Sequence, residues 1–265
     1  VLIRRNGELV QFVPLHQRAW HAGRSYCEGR TCLNDFSIGI ELEGTETDPF
    51  EEVQVNGDFE VQIDTGQVIS ARVEADDNLM GLVVTHVTGN RLIIETRNGD
   101  CIRPSRPIEI TVTVPSLHTI KLNGSGYVYS YGLSSEELEV RLSGSGQITC
   151  HNVESTIATF ELEGSGSITG SLITGNLTAL VEGSGDIRLS GSSVNSDLKI
   201  LGSGRINANQ VNTDVCLAYI SGSGIIETFV NNALDVTIIG SGTVYYEGNP
   251  SVESYISGSG KVVRQ

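Results

Sequence analysis

The sequence predicts an all-β protein whose larger part is a single solenoid of short stacked coils. Three observations predict it. The triplet Gly-Ser-Gly recurs from Gly124, Gly144, Gly164, Gly183, Gly202, Gly222, Gly240 and Gly258, in steps of 20, 20, 19, 19, 20, 18 and 18 residues. Apolar residues hold fixed places around each triplet: two before it stand Leu122, Leu142, Leu162, Val181, Ile200, Ile220, Ile238 and Ile256. The residues between the apolar ones are mostly Thr, Ser, Lys, Arg, Glu or Tyr, which is the period-2 alternation of a strand with one buried face.

Each triplet reads as a corner between two strands, because glycine accepts positive φ and lets neighbouring backbones approach. Four residues before the triplets stand Ile120, Val140, Phe160, Ala179, Leu198, Ala218, Val236 and Ser254. Two residues after them stand Val128, Ile148, Ile168, Ile187, Ile206, Ile226, Val244 and Val262. One repeat then makes one coil, and parallel stacking sets each apolar column above the next. A lone coil cannot offset the entropy of ordering its own backbone, so the coils stand only as a stack.

Upstream, Phe59-Val61-Ile63, Leu82-Val83-Val84, Leu92-Ile93-Ile94 and Ile108-Ile110-Val112-Val114 show the same strand chemistry with weaker periodicity. With turn signals at Asn56-Gly57 and Asn98-Gly99, residues 50–123 read as about three irregular coils. No stretch carries a helical period, and Ser134-Ser135-Glu136-Glu137 reads as a turn. The first 48 residues lack the repeat. Leu2 to Gln11 reads as a β-hairpin around Asn6-Gly7, and Ile38–Leu42 as a strand. Both are placed to cover the open edge of the first coil, while Lys261 and Arg264 guard the other end.

The formal net charge is −15 with only 17 Lys and Arg, so nucleic acid and anionic membrane surfaces are disfavoured partners. No apolar run reaches the ~18 residues of a membrane span. The chain begins at Val1 inside an apolar run, so the true N-terminus is expected upstream. Cys27, Cys32, Cys101, Cys150 and Cys216 are odd in number and widely spaced, which fits buried or free thiols, with local pairing of Cys27 and Cys32 as the alternative.

Three site chemistries do not fit the repeat. A phosphate loop needs a helix after its glycines, and here a strand follows. A calcium β-roll needs a nine-residue Gly-Gly-x-Gly-x-Asp pattern, and only Asp186 directly follows a triplet. A β-helical polysaccharide lyase needs clustered carboxylates. The column five before the triplets (Thr119, Glu139, Thr159, Thr178, Asp197, Leu217, Asp235, Glu253) spaces its acids mostly two coils apart and reads as a solvated face. Tyr127, Tyr129, Tyr131, Tyr219, Tyr245, Tyr246 and Tyr255 read as coil-to-coil stacking, or as an outer face that binds a glycan or protein.

Residues 50–265 resemble the auto-transporter adhesin head (GIN) domain family of secreted bacterial proteins. The carrying residues are Val73-Glu74-Ala75-Asp76-Asp77-Asn78-Leu79, Ile102-Arg103-Pro104-Ser105, Val114-Pro115-Ser116-Leu117 and Tyr245-Tyr246-Glu247-Gly248-Asn249-Pro250. The resemblance implies a right-handed single-stranded β-helix in a periplasmic, outer-membrane-associated or extracellular setting, acting as a non-catalytic adhesin or binding scaffold.

Residues 1–48 resemble an internal fragment of the type-2 zinc N-acetylmuramoyl-L-alanine amidases, anhydro-muropeptide branch, through Ala19-Trp20-His21-Ala22-Gly23 and Asn34-Asp35-Phe36-Ser37-Ile38-Gly39-Ile40-Glu41-Leu42-Glu43-Gly44. That resemblance implies a catalytic role for Glu41, which assists proton transfer from the water, and a substrate groove lined by Trp20, His21 and Asn34. It also implies zinc, peptidoglycan fragments as partners and a cytoplasmic place. The segments that carry the family's zinc ligands do not match anything here, and the contexts of His16, His86, His118 and His151 do not resemble them. Without the Lewis acid the water keeps its ordinary pKa and Glu41 has no nucleophile to serve. The expectation is therefore no metal site, no cofactor and no amidase activity. The join near Asp48-Pro49 reads as a fusion, or as a truncated or chimeric gene, and the abruptness of the change favours the second.

Overall fold

The computed structural model describes residues 49–76, 79–97 and 107–265, together with the backbone of the short strands Leu2–Ile3, Leu9–Val10, Tyr26–Cys27, Arg30–Thr31 and Glu41–Leu42. From Thr119 to Arg264 the chain winds into parallel rungs, and no α-helix occurs among the described residues. A central rung is a single bent strand, such as Ser167–Gly183 or Asp186–Gly202, that runs from one triplet to the next.

The rungs stack in the register the repeat predicts. Leu122, Leu142, Leu162, Val181, Ile200, Ile220, Ile238 and Ile256 are successive parallel partners. All of them are buried except Ile256, which is 40% exposed on the last rung. The columns of Ile120 and Val128 follow the same rule, with Ser254 exposed and Val262 half-buried at the end of the stack. Removing each aliphatic side chain from water contributes roughly 1.5–3 kcal/mol, and every rung repeats the same few burials.

The two glycines of a corner are needed for different reasons. Gly183 has φ 119°, and a Cβ there would lie 2.6 Å from the carbonyl oxygen of Gly164 in the rung below. The second glycine is limited by space: a Cβ on Gly146 would lie 2.6 Å from Gly126 O and 2.9 Å from Leu122 Cδ2. The serine between them is exposed in the central corners, and its amide carries the ladder around the bend. Ser184 N donates to Gly164 O at 2.9 Å and Ser203 N to Gly183 O at 2.9 Å.

Residues 50–114 depart from the expected run of coils in chain order. Glu52–Asn56 and Glu60–Thr65 form a rung turning at Gly57 (φ 133°), and this rung stacks under Thr119–Gly124 and Tyr127–Tyr131. On its other side lie Arg91–Thr96 and Glu109–Val114, again parallel. The stack is then closed by strands running the opposite way: Val83–Thr88 pairs antiparallel with Arg91–Thr96, and Ser70–Glu74 with Glu109–Val114. The reversal is a two-residue hairpin at Gly89-Asn90, with Gly89 at φ 63° and Thr88 facing Arg91. The first rung is therefore sandwiched between later segments of chain. Two antiparallel pairs end that side of the stack, a device that blunts an open edge.

Ser134–Gly144 is a strand paired from Ser134↔Glu154 onward, so the turn expected at Ser134–Glu137 is replaced by ladder bonding. In the first 48 residues Leu2↔Val10 and Ile3↔Leu9 pair as the expected hairpin, and Glu41–Leu42 adds in parallel to Leu2–Ile3. The Asn6-Gly7 and Asn98-Gly99 turns, Cys101 and the Ile102–Ser105 segment lie outside the described residues. So do the side chains of Cys27 and Cys32, while the strand Glu41–Leu42 lies beside Ser70–Glu74.

Candidate binding surface

Because side chains alternate across a strand, every rung places its odd members outside in columns that climb the stack. One outer face is carried by the strands that lead into the triplets. Its first column is Thr119, which is buried, followed by Glu139, Thr159, Thr178, Asp197, Leu217, Asp235 and Glu253, and its second is Lys121, Arg141, Glu161, Leu180, Lys199, Tyr219, Thr237 and Tyr255. Asp197 and Asp235 stand two rungs apart with Leu217 between them, about 10 Å at the usual strand spacing. Asp235 and Glu253 are neighbours on consecutive rungs, closer than the general spacing implies, and both are exposed to water.

Arg141 neutralises the acids lower on this face. Its guanidinium donates to Glu139 at 2.5 Å and approaches Glu161 at 3.2 Å. The bond to Glu139 raises the Arg141 pKa, with partial burial opposing it and both carboxylates adding to it. Higher up, Asp197, Lys199, Leu217, Tyr219, Asp235 and Thr237 line an open groove across three rungs. The Lys199 ammonium sits 5.4 Å from the centre of the Tyr219 ring. Leu217 is 50% exposed and Tyr255 is 65% exposed.

The tyrosines do not form a continuous stack. Tyr219 and Tyr255 share a column with Thr237 between them, and Tyr127 faces Glu60 and Gln147. Tyr129 instead meets His151 edge-on, ring centres 6.2 Å apart at 63°. Tyr131 is exposed, Tyr245 is half-buried beside Glu227, and Tyr246 packs against the core.

The interior holds a polar column that the sequence reading passed over. Ser155, Thr174, Ser193 and Thr213 are successive partners. Ser155 Oγ donates to Thr174 Oγ1 at 3.3 Å, Ser193 Oγ to Thr213 Oγ1 at 2.9 Å, and Ser196 Oγ also to Thr213 Oγ1 at 3.0 Å. The recurrence of Ser or Thr ten or eleven places after Gly144, Gly164, Gly183 and Gly202 was the available signal. These hydroxyls bond one another and nearby carbonyls, so their role is to satisfy the bend. Cys150 and Cys216 are buried free thiols. Burial pushes Cys150 up to about 11 and Cys216 to about 12, against the opposing pull of neighbouring Ser130 and Thr228 hydroxyls. Neither is poised as a thiolate nucleophile.

The side chains of Trp20, His21, Asn34 and Glu41 lie outside the described residues, as does His16. Glu41 is placed only by its backbone, opposite Leu2. Of the other histidines, His118 Nδ1 lies 3.5 Å from Glu51 and His151 Nδ1 lies 3.3 Å from Ser171 Oγ. Among the described residues no group of three His, Cys, Asp or Glu side chains is gathered to hold a metal, so those residues do not fit a zinc centre. No helix among them is long and apolar enough to cross a membrane.

Residues 49–171 and 149–250 match the family model described as "Putative auto-transporter adhesin, head GIN domain". The chain belongs to this family. Solved structures cover most of this chain with the same fold. A "putative lipid binding protein" from Parabacteroides distasonis superposes with TM-score 0.79 at 24% identity, covering 83% of this chain and 94% of its own. A "putative adhesin" from Parabacteroides merdae gives 0.79 at 21%, covering 82% and 92%. Residues 1–57 match the N-acetylmuramoyl-L-alanine amidase family, and the overlap with the GIN domain falls on the strand Glu52–Asn56, which is a solenoid strand. The 1,6-anhydro-N-acetylmuramyl-L-alanine amidase AmpD of Enterobacter cloacae is 51% identical over 81 residues, 30% of this chain and 41% of that protein. The Escherichia coli AmpD is 62% identical over 53 residues, 20% of this chain and 29% of that protein. The chain thus spans less than half the length of the curated relatives it matches.

Proposed function

We propose that this GIN-domain chain is a non-catalytic binding scaffold that works outside the cytoplasm, in the periplasm, at the outer membrane or beyond it. One observation carries the reading: the interior is filled by registered aliphatic columns, while the outer face of the strands that lead into the triplets presents columns of side chains in continuous register. Such a surface reads an extended ligand by repetition, as other solenoids do. The fold neighbours, described as a "putative adhesin" and a "putative lipid binding protein", support a binding role. The division into an amidase-like piece at 1–48 and a solenoid at 49–265 belongs to the same proposal, as do the roles of Glu41, Trp20, His21 and Asn34 as an inactive remnant.

Two measurements test it together. Purified chain is incubated with anhydro-muropeptide and zinc, and it is immobilised and exposed to a panel of extracellular polysaccharides and surface proteins. The proposal expects no release of L-alanine peptides and saturable retention of at least one panel member. Zinc-dependent peptide release would replace it with the amidase reading.

A further inference from the structure

The groove on the triplet-leading face changes character along the stack. In the lower rungs the second column is charged, with Lys121, Arg141 and Glu161. In the last four rungs some positions of the face recur every second rung, while Leu217 against Glu253 and Lys199 against Thr237 differ. Asp197 and Asp235 occupy one column, Tyr219 and Tyr255 the next, and Leu201 and Ile239 the third, each pair two rungs apart. Two rungs span about 10 Å. Equivalent chemistry therefore returns at the length of one disaccharide in an extended β-1,4-linked glycan.

We propose that rungs Asp197 to Gly258 bind a neutral, extended β-1,4-linked glycan lying along the solenoid axis, one disaccharide for every two rungs. This deepens the scaffold reading and rests on it. Half-buried Tyr219 and exposed Tyr255 supply apolar rings against which every second sugar packs. Asp197 and Asp235 accept hydrogen bonds from sugar hydroxyls on one flank. Lys199 donates from the same groove and steadies the Tyr219 ring by its cation–π contact, 5.4 Å from ring centre. Exposed Leu217 fills the floor between the two carboxylates. A site of this kind needs an apolar platform with few convergent polar groups, and this groove has both.

Charge selects the neutral class. Asp197, Asp235 and Glu253 face one cation, Lys199, and the chain as a whole carries −15. A polyanionic glycan would meet repulsion along its whole length. The linkage selects the shape, because a flat β-1,4 chain keeps register over several rungs and a curved α-1,4 chain does not.

The test is calorimetric titration of the full chain with cellohexaose and chitohexaose, against cellobiose and maltohexaose. Either β-hexasaccharide should bind at least tenfold more tightly than the disaccharide, which reaches only one tyrosine. Maltohexaose should not compete. Tyr219→Ala and Tyr255→Ala should each weaken the hexasaccharide about tenfold, and Asp197→Asn should weaken it less. Tyr255 is exposed on the last rung, so its removal tests the contact even if Tyr219→Ala disturbs its neighbours. Failure of both β-hexasaccharides to bind, or binding unchanged in Tyr255→Ala and Tyr219→Ala, overturns the glycan site. The scaffold reading fails separately, if the chain retains nothing from the wider panel. Retention that survives both tyrosine changes keeps the scaffold and removes this site.

Discussion

Replacing Gly183 with alanine isolates what the corner requires. The residue has φ 119°, a region that side chains rarely enter, and strain of this kind costs about 1–3 kcal/mol. The added Cβ would also lie 2.6 Å from Gly164 O, a backbone atom that cannot swing aside. Relief requires the two rungs to separate locally, which weakens ladder bonds such as Ser184 N to Gly164 O and Ser203 N to Gly183 O. Each such bond contributes about 1 kcal/mol net. The sum is about 4 kcal/mol, which for a chain this long lowers the midpoint of thermal unfolding by roughly 8–16 °C. Two controls bracket the effect. Gly132 has φ 73° with open space around a Cβ, so Gly132→Ala should show only the conformational cost, about 1–2 kcal/mol. Gly81 has open space and no positive φ, so Gly81→Ala should be neutral or gain a few tenths of a kcal/mol. The assay is thermal melting by circular dichroism or calorimetry. A Gly183→Ala midpoint within 2 °C of Gly81→Ala would refute the account of the corner.

Further outcomes follow from the packing. Phe160→Ala should cost about 3–5 kcal/mol in urea denaturation, because Phe160 is fully buried between Val140 and Ala179; a loss under 1 kcal/mol would contradict it. The raised thiol values make stability fall with alkali. The folded pKa values of Cys150 and Cys216 exceed those of the unfolded chain. Their contribution is thus complete below about pH 9 and is lost as pH rises toward 11–12, with a slope approaching about 1.4 kcal/mol per pH unit for each thiol. The Cys150→Ala, Cys216→Ala double variant should show a shallower decline above pH 9, and an unchanged slope would count against it. In native protein at pH 8 a thiol reagent followed by peptide mapping should leave both cysteines unlabelled until denaturant is added. Arg141→Gln should lower stability by less than about 1 kcal/mol, and less at high salt, because its carboxylate partners are water-facing.

The regular part of the fold was legible because its signal is redundant. The Leu142 column and the Ile148 column each repeat the same choice rung after rung, so one weak member such as Ser254 does not hide the pattern. The order of the first rungs was not legible. Val53, Ile94 and Ile120 are equivalent apolar strand residues, and nothing in their chemistry says that Glu52–Asn56 sits between later segments. That placement is decided by long-range ladder pairing. The Gly89-Asn90 hairpin did carry a local signal, a two-residue glycine turn between apolar runs, and it marks where parallel winding gives way to antiparallel closure. Ser134–Glu137 misled for the opposite reason: its polar residues suit a turn, but the neighbouring rung supplies a ladder that holds them extended.

The outer face was half legible. Alternation fixed which residues point outward, and the spacing of Asp197 and Asp235 could be counted from the triplets. The groove could not be counted. It arises because Leu217 and Tyr219 sit on the rung between two acids, and because Lys199 leans over the ring instead of into water. The zinc and amidase expectations rest on the resemblance of residues 1–48.

Methyl-labelled NMR of the purified chain gives the most direct check on the stacking itself. Through-space cross-peaks should link Leu142 to Leu162, Leu162 to Val181 and Val181 to Ile200, with all four methyl groups shielded from a soluble paramagnetic agent. Absence of those links, or strong bleaching of the four signals, would contradict the stack on which every assignment above depends.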